Sequence, residues 1–293
     1  MRLLKYFFLL FFVQTSGYAN SNSFTSPSCF NMGGAGSLSL SANTQMKNPA
    51  VFNHSRSLTT SIVKYPALIN SQSVNINLPN QNTAFSYSLK YLSYGVFKGY
   101  NELGEDIGTY RSYETWIDGY MSKKINYQPI FIGSSISIKS SNFFTYNIKS
   151  LSASFGLIRY FKNEYNAVGL SINQIGLKTS NRNFSTSAPS FTLSGSKKLK
   201  YLPAISYVDL LYEKNKTEVF MGICFVQGEN IKFLAGSSTR KFTQNTSQSL
   251  FKTILGASGF GFSYNKNQIL VHYGFYYYGA GIRVDGLNIG IKF

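Results

Sequence analysis

Few residues of this 293-residue chain could do chemistry. Five of its eleven acids, Glu102, Glu105, Asp106, Glu114 and Asp118, fall in one stretch. Paired carboxylates can run acid–base chemistry when their surroundings drive the two pKa values apart. Here they stand among Asn101, Gly104, Gly108 and Thr109, the composition of a solvated loop and the strand after it, with no cleft to perturb them. His272 shares a strand-like run with Tyr273 and Tyr276, and Ser263 invites a hydrolase reading. No nucleophile motif supports that pair, so His272 is expected as a girdle or lumen residue. The chain has no CxxC, and its only histidines are His54 and His272, so no metal site is assigned. Cys29 and Cys224 stand 195 residues apart. A disulfide is permitted in an oxidising compartment, and spacing alone leaves it open. No enzyme and no cofactor is expected.

Gly33-Gly34-Ala35-Gly36 offers one more chemistry, a cradle for phosphate. Such a loop needs a strand before it, a helix after it and a Lys followed by Ser or Thr. Cys29 to Met32 is too short for the strand, and no GK[ST] follows. The nucleotide reading fails.

The elements that position these residues begin with a leader. Arg2 and Lys5 precede an apolar core over 6–13, and Gly17-Tyr18-Ala19 supplies small residues for cleavage after Ala19. Eight apolar residues are too few for a permanent helical span. Cys29 has no small-residue motif abutting that core, which excludes a lipoprotein. Without Arg2 and Lys5 the formal charge of +17 becomes +15. An exported chain with scattered basic residues is not expected to bind nucleic acid, and Lys197-Lys198-Leu199-Lys200 reads as a solvated loop.

From residue 59 onward the dominant signal has period two. Val74, Ile76 and Leu78 oppose Ser73, Asn75 and Asn77, and Leu287, Ile289, Ile291 and Phe293 oppose Asn288, Gly290 and Lys292. About fourteen strands are predicted, over 59–65, 72–79, 83–91, 92–98, 114–125, 130–139, 151–161, 165–173, 202–212, 217–226, 230–238, 252–263, 268–278 and 285–293. A soluble sandwich and a membrane barrel compete for them. An aromatic content of 16%, in 25 Phe, 22 Tyr and one Trp, suits lipid-facing walls and interfacial girdles. Lysine facing lipid at mid-membrane costs about 2–4 kcal/mol, and Lys90 and Lys292 both fall opposite the apolar face. The fold class is therefore all-β: a transmembrane antiparallel barrel of about fourteen strands. Phe293, closing an amphipathic strand, resembles the assembly signal of bacterial outer-membrane barrels.

Met32-Gly33-Gly34-Ala35-Gly36, a Ser/Asn-rich spacer and Asn48-Pro49-Ala50 resemble the N-terminal signature of the PorV/PorQ family, itself distantly similar to FadL-type barrels. Tyr94-Gly-Val-Phe97, Asn101-Glu-Leu-Gly104, Gly108-Thr-Tyr110, the 133–141 strand, Asn173-Gln-Ile-Gly176 and Ser196-Lys-Lys-Leu-Lys-Tyr-Leu-Pro203 continue the likeness in order, and the PorQ branch is the nearer. The resemblance covers about 30–212. It implies a cleaved leader at 1–19, a hatch-like segment at 20–58 and a barrel at 59–293 in the outer membrane of a Gram-negative bacterium.

Two readings of Gly33, Gly34, Gly36, Asn48, Pro49 and Ala50 stay open. They form a compact segment in or under the barrel mouth, or only a turn into the first strand. The resemblance further implies a part in type IX secretion, with outer-membrane lipid, other secretion or attachment components and secreted cargo as partners. Candidate partner loops are 99–113, with Asn101, Glu102, Gly104, Glu105, Asp106, Gly108 and Tyr110, and 174–201. The alternative is a FadL-like channel for hydrophobic small molecules. That reading calls for a continuous apolar pocket leading to a lateral opening or kinked strand, with which Gly95, Pro129 and Gly133 are compatible. A simple structural porin is a third possibility.

Overall fold

A computed structural model describes residues 26–40, 47–101, 103–125, 128–144, 146–161, 163–180, 183–243, 255–278 and 282–293. The expected leader lies outside them, as does Glu102. The alternating runs form fifteen strands: β1 (Ser57–Lys64), β2 (Asn70–Pro79), β3 (Thr83–Tyr100), β4 (Asp106–Lys124), β5 (Ile130–Phe143), β6 (Tyr146–Phe161), β7 (Asn163–Ser180), β8 (Asn183–Ser187), β9 (Ser190–Lys198), β10 (Ala204–Glu213), β11 (Lys216–Gln227), β12 (Ile231–Ser238), β13 (Ser258–Lys266), β14 (Ile269–Tyr277) and β15 (Arg283–Lys292). A 3-10 turn (Pro27–Cys29) and one short helix, α1 (Arg240–Thr243), complete the described elements. Among the described residues no helix is long and apolar enough to cross a membrane, which says nothing of strands.

Every pairing is antiparallel, and β1 pairs with both β2 and β15, so the sheet closes. β8 and β9 are two parts of one stave. β8 lies along Gly176–Ser180 of β7 and β9 along Ala167–Asn173, in one continuous register interrupted at 188–189. Proline has no N–H to offer a ladder, so Pro189 opens that interruption. Counted by staves, the barrel has fourteen strands and no free edge.

The burial pattern is that of a soluble protein turned inside out. On β1, Ser57, Thr59 and Ser61 are no more than 2% exposed, while Leu58 is 44% and Ile62 45% exposed. On β5, Ile136 and Ile138 face outward and Ser135 is buried. Hydrocarbon rewards this inversion and water would not, because the outer wall must be apolar while the lumen takes the serines.

Two strand boundaries differ from the expectation, and the reasons are local. The stretch read as two strands, 83–91 and 92–98, is one, β3; a bulge between Ser93 and Gly95, with Gly95 at φ +101°, shifts the alternation midway. Most of 174–201, expected as a loop, is wall: the end of β7 followed by β8 and β9. Their inward face is serine and threonine, and Pro189 interrupts the run, so the composition mimics a loop. The first error added a strand and the second removed one, which left the expected number at fourteen.

The two ends of the barrel differ. Arg56 and Phe293 mark one, the near end, where Phe293 N donates to Arg56 O at 3.3 Å. Turns there are short, while the far end carries the long 239–257 connection. The far-end hairpin between β10 and β11 places Lys214 (φ 47°) and Asn215 (φ 62°) in the left-handed region. A two-residue turn of this kind favours Asn-Gly, and lysine is strained at its first position. Lys214→Asn is expected to stabilise the barrel by about 0.5–1 kcal/mol, read as a raised unfolding midpoint in detergent.

Candidate functional site: the barrel lumen

The residues ahead of β1 lie inside the barrel. On one side, wall glycines leave room for them: a Cβ on Gly259 would stand 1.8 Å from Phe30 O, and one on Gly236 2.1 Å from Met32 O. On the other side, a Cβ on Gly133 would meet Pro49 O at 2.2 Å, and one on Gly156 would meet Asn48 Oδ1 at 2.1 Å. The segment thus touches β12 and β13 with its first part and β5 and β6 with its second. Gly33 (φ +64°), Gly34 (φ +99°) and Gly36 (φ +91°) take the left-handed backbone that lets it turn so tightly. Lys47 ties the two parts together by donating to Gly34 O and Ala35 O, both at 2.7 Å. Burial draws its ammonium pKa below the ordinary lysine value, while Cys29 and Asp209 oppose the shift. Asp209 Oδ2 accepts from Ser37 N at 2.9 Å and from Ser37 Oγ at 3.0 Å. Asn48 Oδ1 accepts from Ala50 N at 3.0 Å, and Asn173 Nδ2 donates to Lys47 O at 3.3 Å.

Beside this segment is a chamber of about 290 Å³ against β3 to β7. Its character is polar and charged. Lys90 Nζ meets Asp118 Oδ2 at 2.7 Å, and Lys139 Nζ meets Glu114 Oε1 at 3.0 Å and lies 4.8 Å from the centre of the Trp116 ring. Asp118 also accepts from Ser137 Oγ, and Glu114 from Ser141 Oγ at 3.0 Å. Toward α1, Arg240 grips Glu218 through Nε at 2.8 Å and Nη2 at 2.7 Å. Glu114 and Asp118 are therefore not part of a solvated loop, as their neighbours suggested. They are 4% and 3% exposed, facing inward from β4 on the side shared with Trp116. Alternation along β4 could have shown that common face; the cross-strand partners Lys90 and Lys139 needed the register.

The chamber reaches the wall at the interruption between β8 and β9. There β7 bulges, with the register against β6 shifting between Ala153 and Phe155, and Gln174 takes φ 65° while its N–H donates to Ser154 Oγ at 3.2 Å. A kinked strand is thus present, but the chamber beside it is lined by serines and ion pairs rather than by a continuous apolar surface.

The other expected residues lie apart from the lumen. Asn101, Gly104 and Glu105 form a far-end turn in which Asn101 Oδ1 accepts from Glu105 N at 2.8 Å and Asn101 Nδ2 donates to Glu105 Oε2 at 2.7 Å. Asp106, Gly108 and Tyr110 belong to β4, not to a loop, and Tyr110 stacks on Phe97 at 5.5 Å. Ser263 and His272 are cross-strand neighbours on the inner wall. The charges acting on His272 come from Lys232 and Lys292, cations where a catalytic triad needs a carboxylate. Cys29 and Cys224 are not bonded to each other.

No family model matches the chain, and no curated protein matches it. Solved structures do. The P. putida toluene transporter TodX superposes with a TM-score of 0.57 at 9% identity, over 96% of this chain and 99% of that one. A Pseudomonas aeruginosa FadL homologue gives 0.47 at 10% identity, over 92% and 97% of the two chains. The outer membrane protein Omp33 of Acinetobacter baumannii gives 0.45 at 10% identity, over 82% and 98%. At such identities the likeness is one of fold, and the TodX superposition carries it: the chain folds as a closed fourteen-strand FadL-like β-barrel of the outer-membrane type.

Proposed function

We propose that this is a non-catalytic outer-membrane barrel of the type IX secretion apparatus, most like the PorQ branch of its family, which binds partners during export or surface attachment of proteins with C-terminal signal domains. The observation that carries this reading is the lumen: the chain's own N-terminal segment reaches across it and is bonded to both sides. A barrel filled in this way suits a binding scaffold better than a conduit for cargo. The ordered motifs from Gly33 to Pro203 support the branch. Deletion of the gene, followed by quantitative proteomics of periplasm, cell surface and medium, tests it. Signal-domain proteins should accumulate in the periplasm or be shed unattached; their normal arrival at the surface would overturn the reading.

One observation favours a second reading, uptake of a small molecule. The wall is interrupted where β7 bulges at Gln174 opposite Pro189, beside a chamber open to solute. The N-terminal segment would then act as a hatch. The charged lining points away from hydrocarbons and toward amphiphiles with a polar head. In the same deletion strain, reduced uptake of a labelled fatty acid with normal surface attachment would favour it.

A further inference from the structure

The near end of the barrel carries an aromatic cleft edged by cations, which neither reading of the lumen uses. Two adjoining hollows, about 420 and 570 Å³, share Phe52 and His54. Phe52 lies 5.6 Å from Phe131, and Phe131 packs edge-on to Tyr160 at 5.2 Å, so the floor is a chain of rings. Lys124 borders the first hollow, and Arg56 and Lys292 border the second. Among the described residues none of these three has a carboxylate within ion-pair distance; Lys292 Nζ donates instead to Asn265 Oδ1 at 2.7 Å. The acid bordering the cleft is Glu164, which stands 3.9 Å from His54.

Outer-membrane barrels turn their short connections to the periplasm and their long ones outward, which puts this cleft in the periplasm. We propose that it docks an acidic peptide segment of a periplasmic protein. An apolar side chain seats against Phe52, Phe131 and Tyr160, while carboxylates face Lys124, Arg56 and Lys292. An aromatic pocket rimmed by unpaired cations fits an anchor side chain among acids, and the charges both speed encounter and fix register. Lipid is the weaker match. Lys123, Arg159 and Lys197 alternate with the lipid-facing residues of their strands and stand where headgroups lie. The cleft opens between the wall and the N-terminal segment, toward water. The proposal rests on outer-membrane placement and not on the secretion reading, and peptide binding with normal export in the deletion strain would leave it standing.

The test uses the full chain in phosphatidylcholine nanodiscs and a short fluorescent peptide of Glu and Ser carrying two Phe, followed by polarisation. Binding should weaken about tenfold or more in the double variant Lys124→Glu, Arg56→Glu, and by a similar factor when the peptide's Phe residues become Ala. Retained heat-modifiable migration on gels shows that the variant is still a barrel. Equal binding of the Phe and Ala peptides, or no loss in the double variant, would overturn the proposal. Displacement of the peptide by phosphatidylglycerol vesicles at matched charge would identify a lipid site instead. Binding seen only after residues 41–46 are replaced by a Gly/Ser linker would identify the chain's own segment as the occupant.

Discussion

Gly259→Ala is expected to destabilise the barrel by about 3 kcal/mol or more, although glycine to alanine in a strand ordinarily gains about 0.5–1 kcal/mol. The reversal comes from one contact. The added methyl group would stand 1.8 Å from Phe30 O, a backbone atom that cannot swing aside as a side-chain tip could. Either the 3-10 turn at Pro27–Cys29 leaves the wall or β13 distorts. Phe30 is fully buried against Val63, Tyr276 and Val284, so displacing it opens that cluster as well. Gly195 is the control: it is a strand glycine with nothing within 4 Å of the added carbon, and Gly195→Ala should be neutral or slightly stabilising. Unfolding midpoints in detergent compare the two. Limited proteolysis of the N-terminal segment reports whether the Gly259 variant has released it. Equal midpoints would mean that the segment does not rest on β13.

The barrel was legible in the sequence because lipid outside and water inside impose the alternation directly. Val74 and Leu287 mark their strands without any knowledge of neighbours. Where the wall departs from the pleat, the signal fails: the bulge at Ser93–Gly95 split β3, and Pro189 with its serine neighbours concealed β8 and β9. The charged chamber was harder to see. Lys90 was correctly placed off the lipid face, yet Asp118 was read with the acids beside it in sequence. Its actual partner comes from the β3–β4 register, in which Ser88 lies opposite Asp118 and Lys90 opposite Trp116. Periodicity fixes which face a residue takes; only pairing fixes whom it meets. The cleft at Phe52 and Phe131 is assembled from segments far apart in sequence, and no local pattern announces it.

That pairing has an energetic consequence. Asp118→Ala should cost about 3–5 kcal/mol, because it leaves the Lys90 ammonium without its counter-charge in a nearly closed space. The two side chains are only 3% and 11% exposed, so little water reaches either group. The variant also strands Ser137, whose hydroxyl donates to Asp118. Replacing both charges, as Lys90→Met with Asp118→Leu, should recover most of the loss, since the attraction in such a pair roughly offsets the cost of drying it. Trp116 is the sole tryptophan and sits between Glu114 and Asp118 on the same face of β4, so its fluorescence during urea unfolding reads the site itself. A single variant within about 1 kcal/mol of the parent is what an exposed ion pair would give. That outcome would mean that water fills the chamber and that the segment across the lumen does not seal it. A loss of several kcal/mol restored by the double variant would make the lumen a dry, packed interior, and a scaffold rather than a pore.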